Sequence, residues 1–105
     1  MKTIWDPRAK ESLRQIARYI NAKFGCEARK DFIQEVRDTE NILKQNPSIG
    51  FVDPLFANRS VVYRSVIING KSKMVYFIEN KVIYIAAFWD TRQEPRSQAE
   101  YLNKT

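Results

Sequence analysis

The chain has 105 residues, 44% of them hydrophobic and 29% charged, and its 18 Lys and Arg against 12 Asp and Glu give a net charge of +6. This length suits one domain with a single core, so we expect residues 1–105 to form a single domain. Cys26 is the only cysteine and there is no histidine, which excludes an intrachain disulfide, a histidine general base and any histidine-containing metal site. We therefore expect neither a metal ion nor a cofactor.

No segment of the sequence is predicted to enter a membrane. The N-terminus lacks the apolar run of a signal peptide, and no stretch is long and apolar enough to span a bilayer. With only one cysteine and no such segment, we expect a cytoplasmic protein without a membrane partner.

The N-terminal half is predicted to form a short strand and two helices. Residues 3–5 are a candidate edge strand, and Asp6-Pro7 then begins a helix, because Asp caps well and Pro suits the first helical position. An apolar stripe at helical spacing runs from there to Phe24, and Gly25 suits the helix end. A second amphipathic helix is predicted over about residues 27–44. The two helices form an αα-hairpin whose apolar stripes are predicted to face the core.

A three-stranded antiparallel meander is predicted within residues 59–96, where three runs rich in Val, Ile, Tyr and Phe follow one another. The first link is Asn69-Gly70, which favours a type I′ hairpin turn because both central residues need positive φ. With two residues in that turn, Arg64 lies opposite Val75. The preceding loop at residues 48–58 is apolar and is expected to pack on the domain or on a partner.

Strand alternation then divides the side chains of the meander between two faces. The first is predicted to be the core and carries Tyr63, Ile67, Met74, Tyr76, Ile78, Ile83, Ile85, Ala87 and Trp89. The second, which we call the mixed face, carries Val62, Arg64, Val66, Ile68, Lys71, Lys73, Val75, Phe77, Tyr84, Ala86 and Phe88. Because it combines cations with large apolar groups, it is either a binding face or the second side of a two-sided sheet whose cationic heads reach the edges.

The predicted fold class is α+β. Pro95 can begin a last short helix at about residues 96–102, so the element order is β-α-α-β-β-β with a short C-terminal helix. In this arrangement the N-terminal αα-hairpin packs on one face of a small antiparallel sheet. We expect Trp5 and Trp89 to lie near the core, since each indole ring buries a large area.

Four stretches of the chain resemble the RelE/ParE superfamily, the toxins of bacterial type II toxin–antitoxin systems that are also called plasmid stabilisation proteins. Residues 4–20, IWDPRAKESLRQIARYI, resemble the opening strand, proline turn and first helix. Residues 42–50, ILKQNPSIG, resemble the end of the second helix. Residues 62–78, VYRSVIINGKSKMVYFI, resemble the central hairpin, and residues 82–95, VIYIAAFWDTRQEP, resemble the last strand and the Arg that follows it.

The resemblance implies a growth-inhibiting toxin that a cognate antitoxin neutralises in a hetero-oligomeric complex. RelE-like members cleave mRNA on the ribosome, whereas parts of the ParE branch inhibit DNA gyrase without cleaving anything. Both mechanisms stay open on the sequence. The alternative is a non-catalytic or decayed family member that binds only its antitoxin or DNA.

The resemblance also identifies candidate site residues. In the RelE-like pattern, basic residues on the exposed sheet face and a C-terminal tyrosine cleave RNA without a metal; the matching positions are Arg64, Lys73, Arg92 and Tyr101. A second basic residue of the pattern falls at Val66, which removes the likeliest general base, so it stays open whether the chain is an enzyme, in that case a metal-independent endoribonuclease (mRNA interferase). Further candidates for binding RNA or another anion are Arg59, Lys71 and Arg96.

Three apolar residues of the predicted sheet are candidate antitoxin contacts. They are Val62, Phe77 and Phe88, which the alternation assigns to the same face as the cations. Exposed apolar groups of this size mark interaction sites. An amphipathic antitoxin helix with acidic residues would cover both kinds of group.

Overall fold

The computed structural model describes residues 1–91; the predicted helix at residues 96–102 lies outside them. Its elements are β1 (Lys2–Trp5), α1 (Pro7–Phe24), α2 (Cys26–Gln45), β2 (Phe51–Val52), a 3-10 turn (Pro54–Phe56), β3 (Arg64–Ile68), β4 (Ser72–Glu79) and β5 (Val82–Asp90). The α+β class and the order of the predicted elements are confirmed. The two-residue strand β2 and the 3-10 turn, both from the apolar loop, were not predicted.

The αα-hairpin forms, and the residues predicted to begin and end its first helix do so. The Asp6 carboxylate accepts a hydrogen bond from the backbone N–H of Arg8 at 2.8 Å, and Pro7 is the first residue of α1. Gly25 separates the helices with a φ of +98°, a conformation that glycine adopts without strain. One residue departs from the predicted apolar stripe, because Phe24 at the end of α1 is 63% exposed.

The sheet is mixed, with the strand order β1-β5-β4-β3-β2. The meander and β2 pair antiparallel, as predicted for the central strands, but β1 pairs parallel with β5. The prediction of a wholly antiparallel sheet is therefore wrong at β1. A hairpin turn forces antiparallel pairing, whereas β1 reaches β5 through the long connection that a parallel pair requires.

The hairpin between β3 and β4 has the predicted turn but a different register. Asn69 and Gly70 have φ values of +54° and +66°, and the N–H of Lys71 donates to the carbonyl of Ile68 at 3.1 Å. The strand pairing nevertheless begins with Ile68 opposite Ser72. Lys71 is therefore an extra residue between the turn and β4, with no residue of β3 opposite it. Its carbonyl instead accepts a hydrogen bond from the N–H of Thr91 at 2.9 Å. The one-residue shift is thus accompanied by a contact with Thr91, which directly follows β5 and lies far along the chain.

The shift changes which side chains share a face. Arg64 lies opposite Tyr76 rather than Val75, and a one-residue slip moves every side chain of a strand to the other side. A second irregularity, between Val75 and Tyr76, adds Ala86 as an extra residue in β5. The predicted division into a core face and a mixed face is therefore wrong for β3 and for the second half of β5.

Both faces of the sheet are buried. The helix face packs under α1 and α2 and carries Val66, Ile68, Met74, Tyr76, Ile83, Ile85 and Phe88. The outer face carries Val75, Phe77, Ala86, Ala87 and Trp89, over which Leu55, Phe56 and Tyr63 of the preceding loop pack. Trp89 is thus buried as predicted, with 4% exposed, although beneath the loop and not beneath the helices.

Gly50 packs closely against the Tyr76 side chain and the backbone of β3. Its N–H donates to the Tyr76 hydroxyl at 3.0 Å, and that hydroxyl donates to the carbonyl of Pro47 at 2.6 Å. A Cβ atom at position 50 would lie 2.7 Å from the Tyr76 oxygen and 2.9 Å from the carbonyl oxygen of Ser65. These atoms belong to the buried core and to the backbone, so they cannot move aside cheaply.

We expect Gly50→Ala to lower the free energy of unfolding by about 1–3 kcal/mol, the usual cost of overpacking. Urea denaturation would measure it, with Ser48→Ala on the exposed side of the same turn as a control that should change little. Equal stability of wild type and Gly50→Ala would contradict the observed contact between Gly50 and Tyr76.

Candidate functional site

Lys73, one of the candidate catalytic residues, lies on the outer face in a buried ion pair. Its ammonium is 3.0 Å from the Oδ2 atom of Asp53 and 5.2 Å from the centre of the Phe56 ring. The hydroxyl of Ser65 donates to the same oxygen at 2.7 Å, and the N–H of Leu55 donates to Oδ1 at 3.0 Å. The side chains of Lys73 and Asp53 are only 12% and 5% exposed, so Lys73 holds the loop and is not presented to a ligand.

The carboxyl group of Asp53 is held in its ionised form. Burial raises its pKa, but the hydrogen bonds from Ser65 and Leu55 and the charge of Lys73 outweigh burial, so the pKa lies below the ordinary value of 3.8. The sequence does contain a sign of this role, because Asp53 is the only charged residue between positions 45 and 58 of the apolar loop.

This lowered pKa makes folding sensitive to acid. Because the folded chain binds the Asp53 proton less readily than the unfolded chain, the stabilisation is complete above the unfolded pKa of 3.8 and is lost as the pH falls through the lower folded pKa. We expect the free energy of unfolding to fall below about pH 4. Asp53→Asn should be less stable at pH 7 and should show a shallower decline in acid. If the free energies of unfolding of wild type and Asp53→Asn fell in parallel as the pH was lowered, Asp53 would not be the cause of the acid sensitivity.

Arg64 lies on the opposite side of the sheet from Lys73. It pairs across the strands with Tyr76 of the helix-face core. Its guanidinium donates from Nη1 to the carbonyl of Gly50 at 2.9 Å and to that of Ser48 at 3.4 Å. The prediction that Arg64 and Lys73 share a mixed face is therefore wrong, and the cause is the extra residue in the β3–β4 hairpin.

Of the other candidate anion-binding residues, the structure describes Arg59 and Lys71. Arg59 lies in the loop over the outer face, where its Nη1 donates to the carbonyl of Ala57 at 3.5 Å. Lys71 is exposed at the tip of the β3–β4 hairpin. The candidates Arg92, Arg96 and Tyr101 lie outside the described residues.

The three candidate antitoxin contacts have different environments. Val62 is 62% exposed. Phe77 is half-buried on the outer face between Tyr63, at 5.6 Å, and Tyr84, at 5.1 Å between ring centres. Phe88 is fully buried on the helix face, so the prediction that it lies exposed on the mixed face is wrong. The physical reason is the extra residue Ala86, which turns Phe88 towards the helices.

Two grooves combine a few of the predicted site residues with residues that the sequence did not single out. One, of about 600 Å³, lies at the end of β1 and is lined by Trp5, Arg8, Arg59, Phe77, Glu79 and Tyr84. The other, of about 590 Å³, lies between the αα-hairpin and the β3–β4 hairpin and includes Tyr19, Phe24, Phe32, Ile68 and Lys71. Tyr19 and Phe24 are 51% and 63% exposed. Helical periodicity placed Phe24 in the buried stripe and did not single out Tyr19.

Within residues 1–91, no three His, Cys, Asp or Glu side chains lie close enough together to hold a metal ion. No helix in the same part of the chain is long and apolar enough to cross a membrane.

Comparison with known proteins identifies the family. The family model described as ParE toxin of type II toxin–antitoxin system, parDE, matches residues 3–95. The fold is similar to a chain of the solved structure described as the chromosomal ParDE TA system from P. aeruginosa, with a TM-score of 0.70 and 18% identity, covering 86% of this chain and 95% of that chain. Curated protein sequences include no significant match. The match over most of the length confirms the resemblance to the RelE/ParE superfamily, and the chain belongs to the ParE toxin family of type II toxin–antitoxin systems.

Proposed function

We propose that this toxin inhibits growth by binding a protein target, for which DNA gyrase is the candidate, and that a cognate antitoxin neutralises it in a hetero-oligomeric complex. Membership of the ParE family supports the toxin assignment. The observation that carries the choice of a binding mechanism over RNA cleavage is the separation of Arg64 and Lys73 on opposite faces of one sheet.

RNA cleavage requires several groups to converge on one phosphate. The ribose 2′-OH must lose a proton, the phosphorane charge must be stabilised and the leaving 5′-oxygen must gain a proton. Because the sheet separates Arg64 from Lys73, one phosphate cannot contact both. Lys73 is also held by Asp53, and Val66 packs towards the helix-face core and supplies no base. These contacts favour a toxin that binds its target without cleaving RNA.

The antitoxin contact that the exposed surface supports best is the groove beside the αα-hairpin. Tyr19 and Phe24 expose large rings there, and the ammonium of Lys23 lies 5.5 Å and 5.6 Å from the two ring centres. An amphipathic helix fits a groove of this kind. Phe77 remains the candidate contact on the outer face. Co-purification of the toxin with its antitoxin, using Phe24→Asp and Phe77→Asp separately, would distinguish the two surfaces.

The mechanism can be tested with induced toxin and with purified toxin. We expect induction to arrest growth while primer extension finds translated messages intact, and we expect purified toxin to block the supercoiling of relaxed plasmid by gyrase. Addition of the purified antitoxin should restore supercoiling, which controls for damage by contaminants. Codon-phased cuts in messages, with normal gyrase activity, would overturn the proposal in favour of a ribosome-dependent endoribonuclease. Unimpaired growth would favour a decayed family member.

A further inference from the structure

Among residues 1–91, the strand β2 is an edge of the sheet. It is last in the strand order and, within this range, pairs only with β3. The N–H of Asp53 donates to the carbonyl of Tyr63 on the β3 side. Because backbone groups alternate in direction along an antiparallel strand, the N–H and C=O of Val52 point away from β3. This edge therefore presents one donor and one acceptor side by side, available to a further strand.

A band of large apolar side chains borders this edge. Ile49, Phe51, Val52, Val62 and Ile67 are 52%, 48%, 56%, 62% and 44% exposed. Phe51 lies opposite Ser65 and shares the outer face with Ile67, whereas Val52 shares the other face with Arg64. The apolar groups thus stand on both sides of the free backbone.

The size of this band matches what a stable interface requires. Since a large apolar side chain presents about 150–250 Å² when fully accessible, these five leave on the order of 500 Å² in solvent. A standard protein–protein interface covers about 800 Å² per partner, a little over half of it apolar. One interface of standard size would therefore use the whole band.

The edge also lacks the groups that normally keep sheet edges apart. Exposed edges usually carry lysine, other charges or a protective bulge. Here the only charged residue between positions 45 and 58 is Asp53, which is buried against Lys73. A chain with a net charge of +6 repels its own copies. The strand β2 adds no charge to that repulsion, and the cation on its Val52 side, Arg64, donates to the carbonyls of Gly50 and Ser48.

We propose that two copies of this chain pair antiparallel through β2, about a two-fold axis at Val52, and join their five-stranded sheets into one. The two Val52 residues exchange a pair of N–H···O=C hydrogen bonds, and the apolar bands pack against each other on both sides. Pro54 has no N–H and ends the pairing after this pair of bonds. A second copy satisfies the edge because β2 itself carries no charge and can pair with its own copy across a two-fold axis, while Arg64 on the Val52 side stays bound to the carbonyls of Gly50 and Ser48.

The test is sedimentation equilibrium of the purified chain at about 100 µM, within the range over which standard interfaces associate. We expect twice the mass of one chain, with tighter association at higher salt because salt screens the repulsion between the basic copies. Val52→Lys should weaken self-association at least about tenfold, since it introduces a charge at the centre of the interface. Phe24→Lys, at an equally exposed apolar position on α1, is the matched control and should remain dimeric.

Thermal melts of both variants check that each is folded, and Phe51→Lys provides a second probe of the same edge. A wild-type chain that sediments as a single copy at both low and high salt would overturn the proposal. So would dimers that survive Val52→Lys and Phe51→Lys but dissociate in Phe24→Lys, because the interface would then lie on the helices.

Discussion

Replacing Lys73 by alanine should lower the free energy of unfolding by about 3–5 kcal/mol, because the change leaves the Asp53 carboxylate buried without its countercharge. Asp53 is 5% exposed, and its remaining hydrogen bonds come from Ser65 and the N–H of Leu55. Urea denaturation at pH 7 measures the loss. Lys71→Ala is the matched control, since Lys71 lies two residues away but is exposed, and it should change stability by less than about 0.5 kcal/mol.

A double substitution separates the ion pair from the packing around it. Replacing Asp53 by Asn and Lys73 by Met together removes both charges and keeps similar volumes, so it should recover part of the stability lost in Lys73→Ala. If Lys73→Ala were as stable as wild type, the ammonium would not be engaged with Asp53, and Lys73 would return as a candidate ligand for an anion.

Phe88→Ala should be comparably destabilising, at about 3–5 kcal/mol, because it removes a fully buried ring from the helix-face core. The ring contacts Trp5 and Phe32, with ring centres 6.2 Å and 6.1 Å away, so a cavity would open between the sheet and α2. Thermal and urea denaturation both measure the effect. Val62→Ala is the contrasting variant, because its side chain is 62% exposed and should contribute little to folding.

Phe88→Ala and Val62→Ala also test which of these two residues can contact the antitoxin. Phe88 and Val62 were both assigned to the mixed face from the sequence, and the structure separates them. A Phe88→Ala protein of wild-type stability that fails to bind antitoxin would contradict the buried position. Loss of stability in Phe88→Ala, with binding unchanged in the remaining folded fraction, would agree with it.

The sequence alone determined the local structure of this protein. Asp6, Pro7 and Gly25 act on residues next to them in the chain, so the start of α1 and the break between the helices were predictable. The Asn69-Gly70 turn was predictable for the same reason, since positive φ at both positions depends on these two residues themselves. The family resemblance was also visible, because it rests on the order of these local elements.

The tertiary structure decided which side chains share a face. The extra residue Lys71, whose carbonyl accepts a hydrogen bond from Thr91, and the extra residue Ala86 each shift a strand by one position. Because successive side chains of a strand alternate between the two faces of the sheet, a shift of one residue moves each side chain to the opposite face. The partners in these contacts lie far apart in the sequence, and the hydrophobic pattern does not select between the registers because both faces of this sheet are apolar. For that reason Arg64 and Lys73, two residues that the sequence brought together, lie on opposite sides of the sheet.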